Sequence, residues 1–151
     1  LGSVLARGSA LDVVVGPFFR NRDALERIAV VSHLNVRLIL APEHLKDLLT
    51  LADIALCAGG QTIYEVAATG TPAIAMDLFE NQTAGVLAMA EVGAIVYGGG
   101  ATDGQLPTEL EPALERLVAT HTHRQQLSAT GRMHVDGHGA LRVADEIAQF
   151  T

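Results

Sequence analysis

The sequence predicts an α/β domain with a mainly parallel sheet, and three observations carry that expectation. Short β-branched runs alternate with stretches of helical periodicity along the first hundred residues. The runs are mostly apolar, as strands covered on both faces are. Several of them end at Gly or polar residues immediately before a helical pattern. The 151 residues are enough for one domain with its own core, assigned to 1–151.

Strands are expected at DVVVG (12–16), NVRLIL (35–40), DIALCA (53–58), AIAMDL (73–78) and AIVYG (94–98). Asn21 or Asp23 opens a helix to about Ser32 that carries Leu25, Ile28 and Ala29 on one face. Pro42 suits the first position of a helix bearing Leu45, Leu48 and Leu49. Residues 61–69 form the next helix, stopped by Gly70 with Pro72 beyond. Residues 82–92 form another, closed by Gly93, and GGGATDGQLP follows the last strand as a loop. Helices over 109–119, 121–132 and 139–150 complete the chain. In open parallel sheets ligands bind at the carboxyl ends of the strands. The loops 16–21, 41–43, 58–62, 79–82 and 98–104 therefore form the functional edge.

Composition narrows the function. A charged fraction of 18% with 49% apolar residues opposes disorder. No apolar run approaches the roughly 18 residues of a membrane span, and LGSVLARGSALD lacks the apolar centre of a signal peptide. The single cysteine, Cys57, excludes an internal disulfide and suits a reducing cytoplasm. A net charge of −7 argues against a nucleic-acid partner, and the absence of Trp removes the best stacking platform. No Lys or Arg lies between Lys46 and Arg116. Any phosphate bound by this middle stretch must be held by backbone N–H groups and helix termini.

AGGQTIYE (58–65) is the first candidate for such a site. The N–H groups of Gly60, Gln61 and Thr62 would face outward at a helix N-terminus, where roughly half a positive charge attracts phosphate. Glu65, one turn in, would accept from a ribose diol. The same residues also fit a capping box, Thr62 to Glu65, in which Glu65 reaches back to the cap. DLFENQ (77–82) is the second candidate: Asn81 and Gln82 carry the paired donors and acceptors that read sugar hydroxyls, and Asn81 or Glu80 equally suits a helix cap.

Together these residues resemble a family. ADIALCAGGQTIYEVAATGTPAIAMDLFENQ (52–82) is similar to the nucleotide-sugar-binding half of GT-B enzymes, most of all the pseudaminic-acid pathway UDP-sugar hydrolase and the spore-coat polysaccharide biosynthesis proteins. The matching positions are Ala52-Asp53, Gly59 or Gly60, Thr62, Glu65, Gly70, Pro72 and Asn81-Gln82. VDGHGALRV (135–143) and VVVGP (13–17) match further segments, and the peptidoglycan N-acetylglucosaminyltransferase shares the glycine–Glu part. The resemblance implies a Rossmann-like, doubly wound GT-B C-terminal domain that takes a UDP-sugar and needs no cofactor or metal. It places the diphosphate at Gly59, Gly60, Gln61 and Thr62 and the ribose at Glu65. The sugar or its phosphate falls at Asn81 and Gln82, and uracil at the loop of Ala41, Pro42 and His44.

The resemblance also implies an N-terminal domain, carrying the catalytic base, outside this chain. Relatives open the domain with a strand that precedes DVVVG, so a gap in the sheet is expected there, with LGSVLA forming a substitute strand, another chain filling the gap, or the fragment distorted. Two functions follow. One is a UDP-sugar-binding domain of a hydrolase or glycosyltransferase of surface-polysaccharide or nonulosonic-acid biosynthesis. The other is a non-catalytic module that dimerises or binds a partner through its exposed sheet. A nicotinamide dehydrogenase is disfavoured, because GGG (98–100) is no G-x-G-x-x-G. His121 and His123 would point to different faces of a helix, which is poor metal spacing, and no Cys or acidic cluster completes a metal site with His134 and His138, which flank DG in a loop. Arg142 is expected to pair with Asp136 rather than face a sugar.

Overall fold

The structure is a computed structural model that describes residues 3–101 and 105–150. They form two compact units, Leu1–Leu45 and Lys46–Thr151.

In the first unit, β1 (Ala10–Val15) and β2 (Asn35–Leu40) are joined by helix α1 (Arg22–Val31). They pair in parallel from Ala10 opposite Asn35 to Val15 opposite Leu40. Three consecutive valines favour the extended backbone of β1. Asp12 and Arg37, opposite one another in the register, form a two-point ion pair at 2.6 and 2.8 Å. Val15 and Leu34 are buried, and Leu25 and Ala29 are half-covered. Ile28, expected on the same face, is exposed. A two-stranded sheet is too narrow to cover a full helical stripe. Ser3 and Val4 form a turn, Leu5 a bend and Ala6 no regular structure, so the described part of LGSVLA supplies no substitute strand. Pro42 does not open a helix either. Ala41 turns into the left-handed region (φ 40°) while its N–H extends the β1–β2 ladder to the Val15 carbonyl, and helical structure resumes only at Lys46.

The second unit holds α2 (Lys46–Leu51), β3 (Ala55–Ala58), α3 (Thr62–Thr69), β4 (Ala73–Asp77), α4 (Glu80–Glu91), β5 (Val96–Gly100), α5 (Leu110–Ala119), α6 (His121–His134) and α7 (Gly139–Ala148). β3, β4 and β5 form a parallel sheet in that order, joined through α3 and α4. The described strands thus make two sheets rather than one continuous one. The parallel α/β class holds for every described strand pair.

The core of this unit is built from Ile63 and Val66 of α3, Ile74 of β4, Val86 of α4 and Leu117 of α5, all essentially inaccessible to water. Gly70 closes α3 in the left-handed conformation (φ 71°), with its N–H on the Ala67 carbonyl and the Thr71 N–H on the Val66 carbonyl. The buried Thr71 hydroxyl then donates to the Leu49 carbonyl at 2.7 Å, which ties the end of α2 to the start of β4. These contacts fix where α3 ends and where β4 begins.

Candidate functional site

At the β3–α3 turn the chain leaves the sheet at Ala58 and enters the helix at Thr62. The Gly59 N–H is used, donating to the Met76 carbonyl at 2.7 Å. The N–H groups of Gly60, Gln61 and Thr62 have no hydrogen-bond partner among the described residues. Gly60 fronts open space, since nothing lies within 4 Å of where a Cβ would stand. The capping box does not form. Gln61 occupies the cap position with helical backbone angles and no side-chain bond, and Thr62 is already the first helical residue. With no extended cap residue to reach back to, the exposed Glu65 carboxylate is left without a hydrogen bond or ion pair among the described residues.

Gly59 connects this turn to the next helix. A Cβ on it would lie 2.1 Å from Cγ2 of Val86 and 3.2 Å from Cβ of Gln82, so the turn rests directly on α4. The β3–α3 turn and the first turn of α4, which carries Gln82, therefore lie against one another at the carboxyl ends of β3 and β4. α4 starts at Glu80, two residues earlier than expected, which puts Asn81 and Gln82 inside its first turn rather than in a loop. The cap position is Phe79, without a side-chain bond, so neither Asn81 nor Glu80 caps the helix. Gln82 does the local work: its Oε1 accepts the Leu78 N–H at 3.0 Å, leaving only its amide NH2 free for another partner. Asn81 is exposed, and its side chain and the backbone N–H groups of Glu80 and Asn81 are unpaired among the described residues.

Sequence reasoning missed Asp77, at the end of β4. Its Oδ2 accepts from the Thr83 hydroxyl at 2.5 Å and its Oδ1 from the Tyr97 hydroxyl at 2.9 Å. The Thr83 bond, helped by the Tyr97 bond, holds the Asp77 carboxyl below its ordinary range against the opposing effect of burial. The same contact raises the Tyr97 phenol. The available signal was the acid that ends an otherwise apolar strand, AIAMD, with a hydroxyl residue six positions on.

Cys57 sits in β3 near this surface, and burial together with the Glu65 charge pushes its thiol up to about 11. The thiolate is therefore scarce at neutral pH. Ellman's reagent at pH 8 should modify the folded protein roughly a hundredfold more slowly than the protein in denaturant, where the thiol returns to about 8.5. Equal rates would show that Cys57 is not shielded as described.

Ala41, Pro42 and His44 belong to the first unit. The Ala41 N–H is bonded to Val15, so it is not free to read a base edge, and His44 is exposed. Residues 102–104 of the expected loop lie outside the described residues. Arg142 pairs with Asp136 at 2.6 Å, as expected, and the Asp136 carboxylate also accepts the His138 N–H at 2.9 Å. Arg142 first, and then that N–H, bring the Asp136 carboxyl down to about 2. Among the described residues no group of three or more His, Cys, Asp or Glu is placed to hold a metal, and no helix is long and apolar enough to cross a membrane.

No protein-family model matches the chain. In sequence it is 33% identical over 109 residues to the spore coat polysaccharide biosynthesis protein SpsG of Bacillus subtilis (strain 168), a match covering 71% of this chain and 31% of that protein. In structure it is similar to MurG of Acinetobacter baumannii, with a TM-score of 0.68 and 21% identity over 93% of this chain and 42% of that one. It is also similar to WaaG, a glycosyltransferase involved in lipopolysaccharide biosynthesis, with a TM-score of 0.61 and 14% identity over 99% of this chain and 48% of that one. The kitacinnamycin glycotransferase gives a TM-score of 0.59 at 18% identity, over 95% of this chain and 43% of that one. The chain thus spans about a third of the curated relative's length and under half of each of these solved structures. Parallel strands, the glycine turn before α3 and these likenesses together identify the fold as the Rossmann-like α/β fold of GT-B glycosyltransferases, in a chain similar in sequence to part of a spore coat polysaccharide biosynthesis protein.

Proposed function

We propose that this chain is the nucleotide-sugar-binding domain of an enzyme of polysaccharide biosynthesis that acts at the anomeric carbon of a UDP-sugar. The observation that carries this reading is the set of unpaired amides at Gly60, Gln61 and Thr62, with the unpartnered Glu65 carboxylate one turn behind. Unpaired N–H groups at a helix start suit a diphosphate, and a carboxylate without an internal partner suits a ribose diol. Asn81 and the free amide of Gln82 then face the sugar or its phosphate. In the reaction, the start of α3 stabilises the charge that develops on the departing UDP. The nucleophile is water in a hydrolase or an acceptor hydroxyl in a transferase, and its proton goes to a base outside this chain. A domain that supplies this base, a nonulosonic-acid pathway and a cytoplasmic setting belong to the same proposal, as does uracil contact by the 41–44 loop.

Titration calorimetry of the full chain with UDP tests the reading. One UDP is expected to bind, and uridine, lacking the diphosphate, is expected to bind far more weakly. Because no Lys or Arg lies between Lys46 and Arg116, UDP affinity should change little between 50 and 300 mM salt. A folded chain that gives no heat with UDP would sink the proposal.

The second reading is a non-catalytic module that pairs with itself or a partner chain. It is favoured by the apolar stripe of α7, where Leu141, Val143 and Ile147 are each at least 60% exposed. Light scattering that finds a concentration-independent dimer, together with indifference to UDP, would select it.

A further inference from the structure

The Asp77 carboxylate stands at a junction of three elements. It ends β4, and one oxygen takes the hydroxyl of Thr83, the fourth residue of α4. Its other oxygen takes the hydroxyl of Tyr97 in β5. Its backbone carbonyl accepts the Ala101 N–H at 2.9 Å, just past the end of β5. The parallel ladder between β4 and β5 is irregular between Ala75 and Asp77, so regular sheet bonding does not fix this end of β4 alone.

α4 has no side-chain bond at its cap residue. Its first turn is held instead at two points, Gln82 on the Leu78 N–H and Thr83 on Asp77. Between these anchors the unpaired groups of Glu80 and Asn81 are presented. Shape alone would let a short strand-to-helix turn take several settings, since exposed first turns fray. A carboxylate that accepts from both the helix and the neighbouring strand selects one of them.

We propose that Asp77 is a positioning residue for the nucleotide-sugar surface, clamped between Thr83 and Tyr97 so that the first turn of α4 presents Asn81 and its unpaired amides in one fixed setting. The inference rests on the reading that this surface binds a UDP-sugar. Asp77 touches no ligand in this account; it acts through α4. An asparagine at position 77 keeps the shape but can accept only through its one carbonyl oxygen, so either Thr83 or Tyr97 loses its acceptor. Thr83→Val and Tyr97→Phe remove the two donors one at a time.

The test uses the full chain and two probes, UDP and UDP-N-acetylglucosamine, titrated calorimetrically into the wild type, Asp77→Asn, Thr83→Val, the double variant and Asn81→Ala. Asp77→Asn and Thr83→Val should each weaken UDP-N-acetylglucosamine by about tenfold, and the double variant by less than the two effects multiplied, because both loosen the clamp between Asp77 and α4. UDP alone, held by α3, should be weakened less. Hydrogen exchange of the amides at 80–83 should quicken in Asp77→Asn without ligand present. Alkaline titration at 295 nm gives a separate signature in a chain with two tyrosines and no Trp: one phenol should ionise late in the wild type and earlier in Asp77→Asn. If Asn81→Ala weakens the sugar nucleotide while folded Asp77→Asn binds it like the wild type, the positioning role is overturned and the nucleotide-sugar reading stands. If the wild type binds neither probe, both fall. A lowered melting temperature with unchanged affinity makes Asp77 purely structural and also overturns the proposal.

Discussion

Replacing Gly59 by alanine is expected to destabilise the second unit by about 1–3 kcal/mol, the usual penalty of overpacking a close contact. The added methyl would stand 2.1 Å from Cγ2 of Val86, a fully buried side chain of α4. A flexible surface side chain could swing away from such a clash. Val86 cannot, because its β-branch is stiff and its surroundings are packed. Relief must come from moving α4 away from the β3–α3 turn. That movement lengthens the bond from the Gly59 N–H to Met76 and separates the amides at 60–62 from Asn81 and Gln82. Thermal unfolding followed by circular dichroism should show the loss. Gly60→Ala is the matched control, since its Cβ meets nothing within 4 Å. It should leave stability within about 1 kcal/mol of the wild type, while its methyl, standing on the surface proposed for the diphosphate, weakens UDP. Equal melting temperatures for Gly59→Ala and the wild type would show that the turn does not rest on α4 as described.

Glu65→Ala should have the opposite profile, with a large loss of UDP affinity and little loss of stability. Hydrogen bonds to a charged group contribute about 1.5–3 kcal/mol, so the dissociation constant should rise by roughly tenfold to a hundredfold. Stability should fall by less than about 1 kcal/mol, the interaction of an exposed acid with a helix N-terminus. Had the capping box formed, the variant would also lose a cap. The contribution of the ribose can be isolated with 2′-deoxy-UDP. In the wild type the missing hydroxyl should cost most of what Glu65→Ala costs, and in Glu65→Ala it should cost almost nothing. A variant that binds UDP and 2′-deoxy-UDP as the wild type does would remove Glu65 from the site.

Much of the architecture was legible because strand and helix periods are local properties. NVRLIL was placed at the bounds the structure shows, and α3 and α5 within a residue. Gly70 was readable as a stop because a left-handed residue after a helix strongly favours glycine. Legibility failed where two structures compete for the same residues. Thr62 to Glu65 satisfies a capping pattern in sequence, yet Thr62 is already helical and cannot act as the cap. Pro42 is a good first helical residue in isolation, but the left-handed turn at Ala41 continues the ladder to Val15 and delays the helix to Lys46.

By itself the sequence determined the parallel α/β class and the approximate places of most of its elements. It also determined that any phosphate proposed to bind between Lys46 and Arg116 would have to rely on backbone amides, since a span without Lys or Arg has no other donor of comparable strength. Only the tertiary structure decided which polar groups remain unspent. Gly59 and Gln82 proved to be partly occupied, Glu65, Asn81 and the amides at 60–62 were left over, and Asp77 was recruited between two hydroxyls. The reason is that a hydrogen bond depends on what folding brings within about 3 Å, and the partners concerned lie as far apart in the chain as Asp77 and Tyr97.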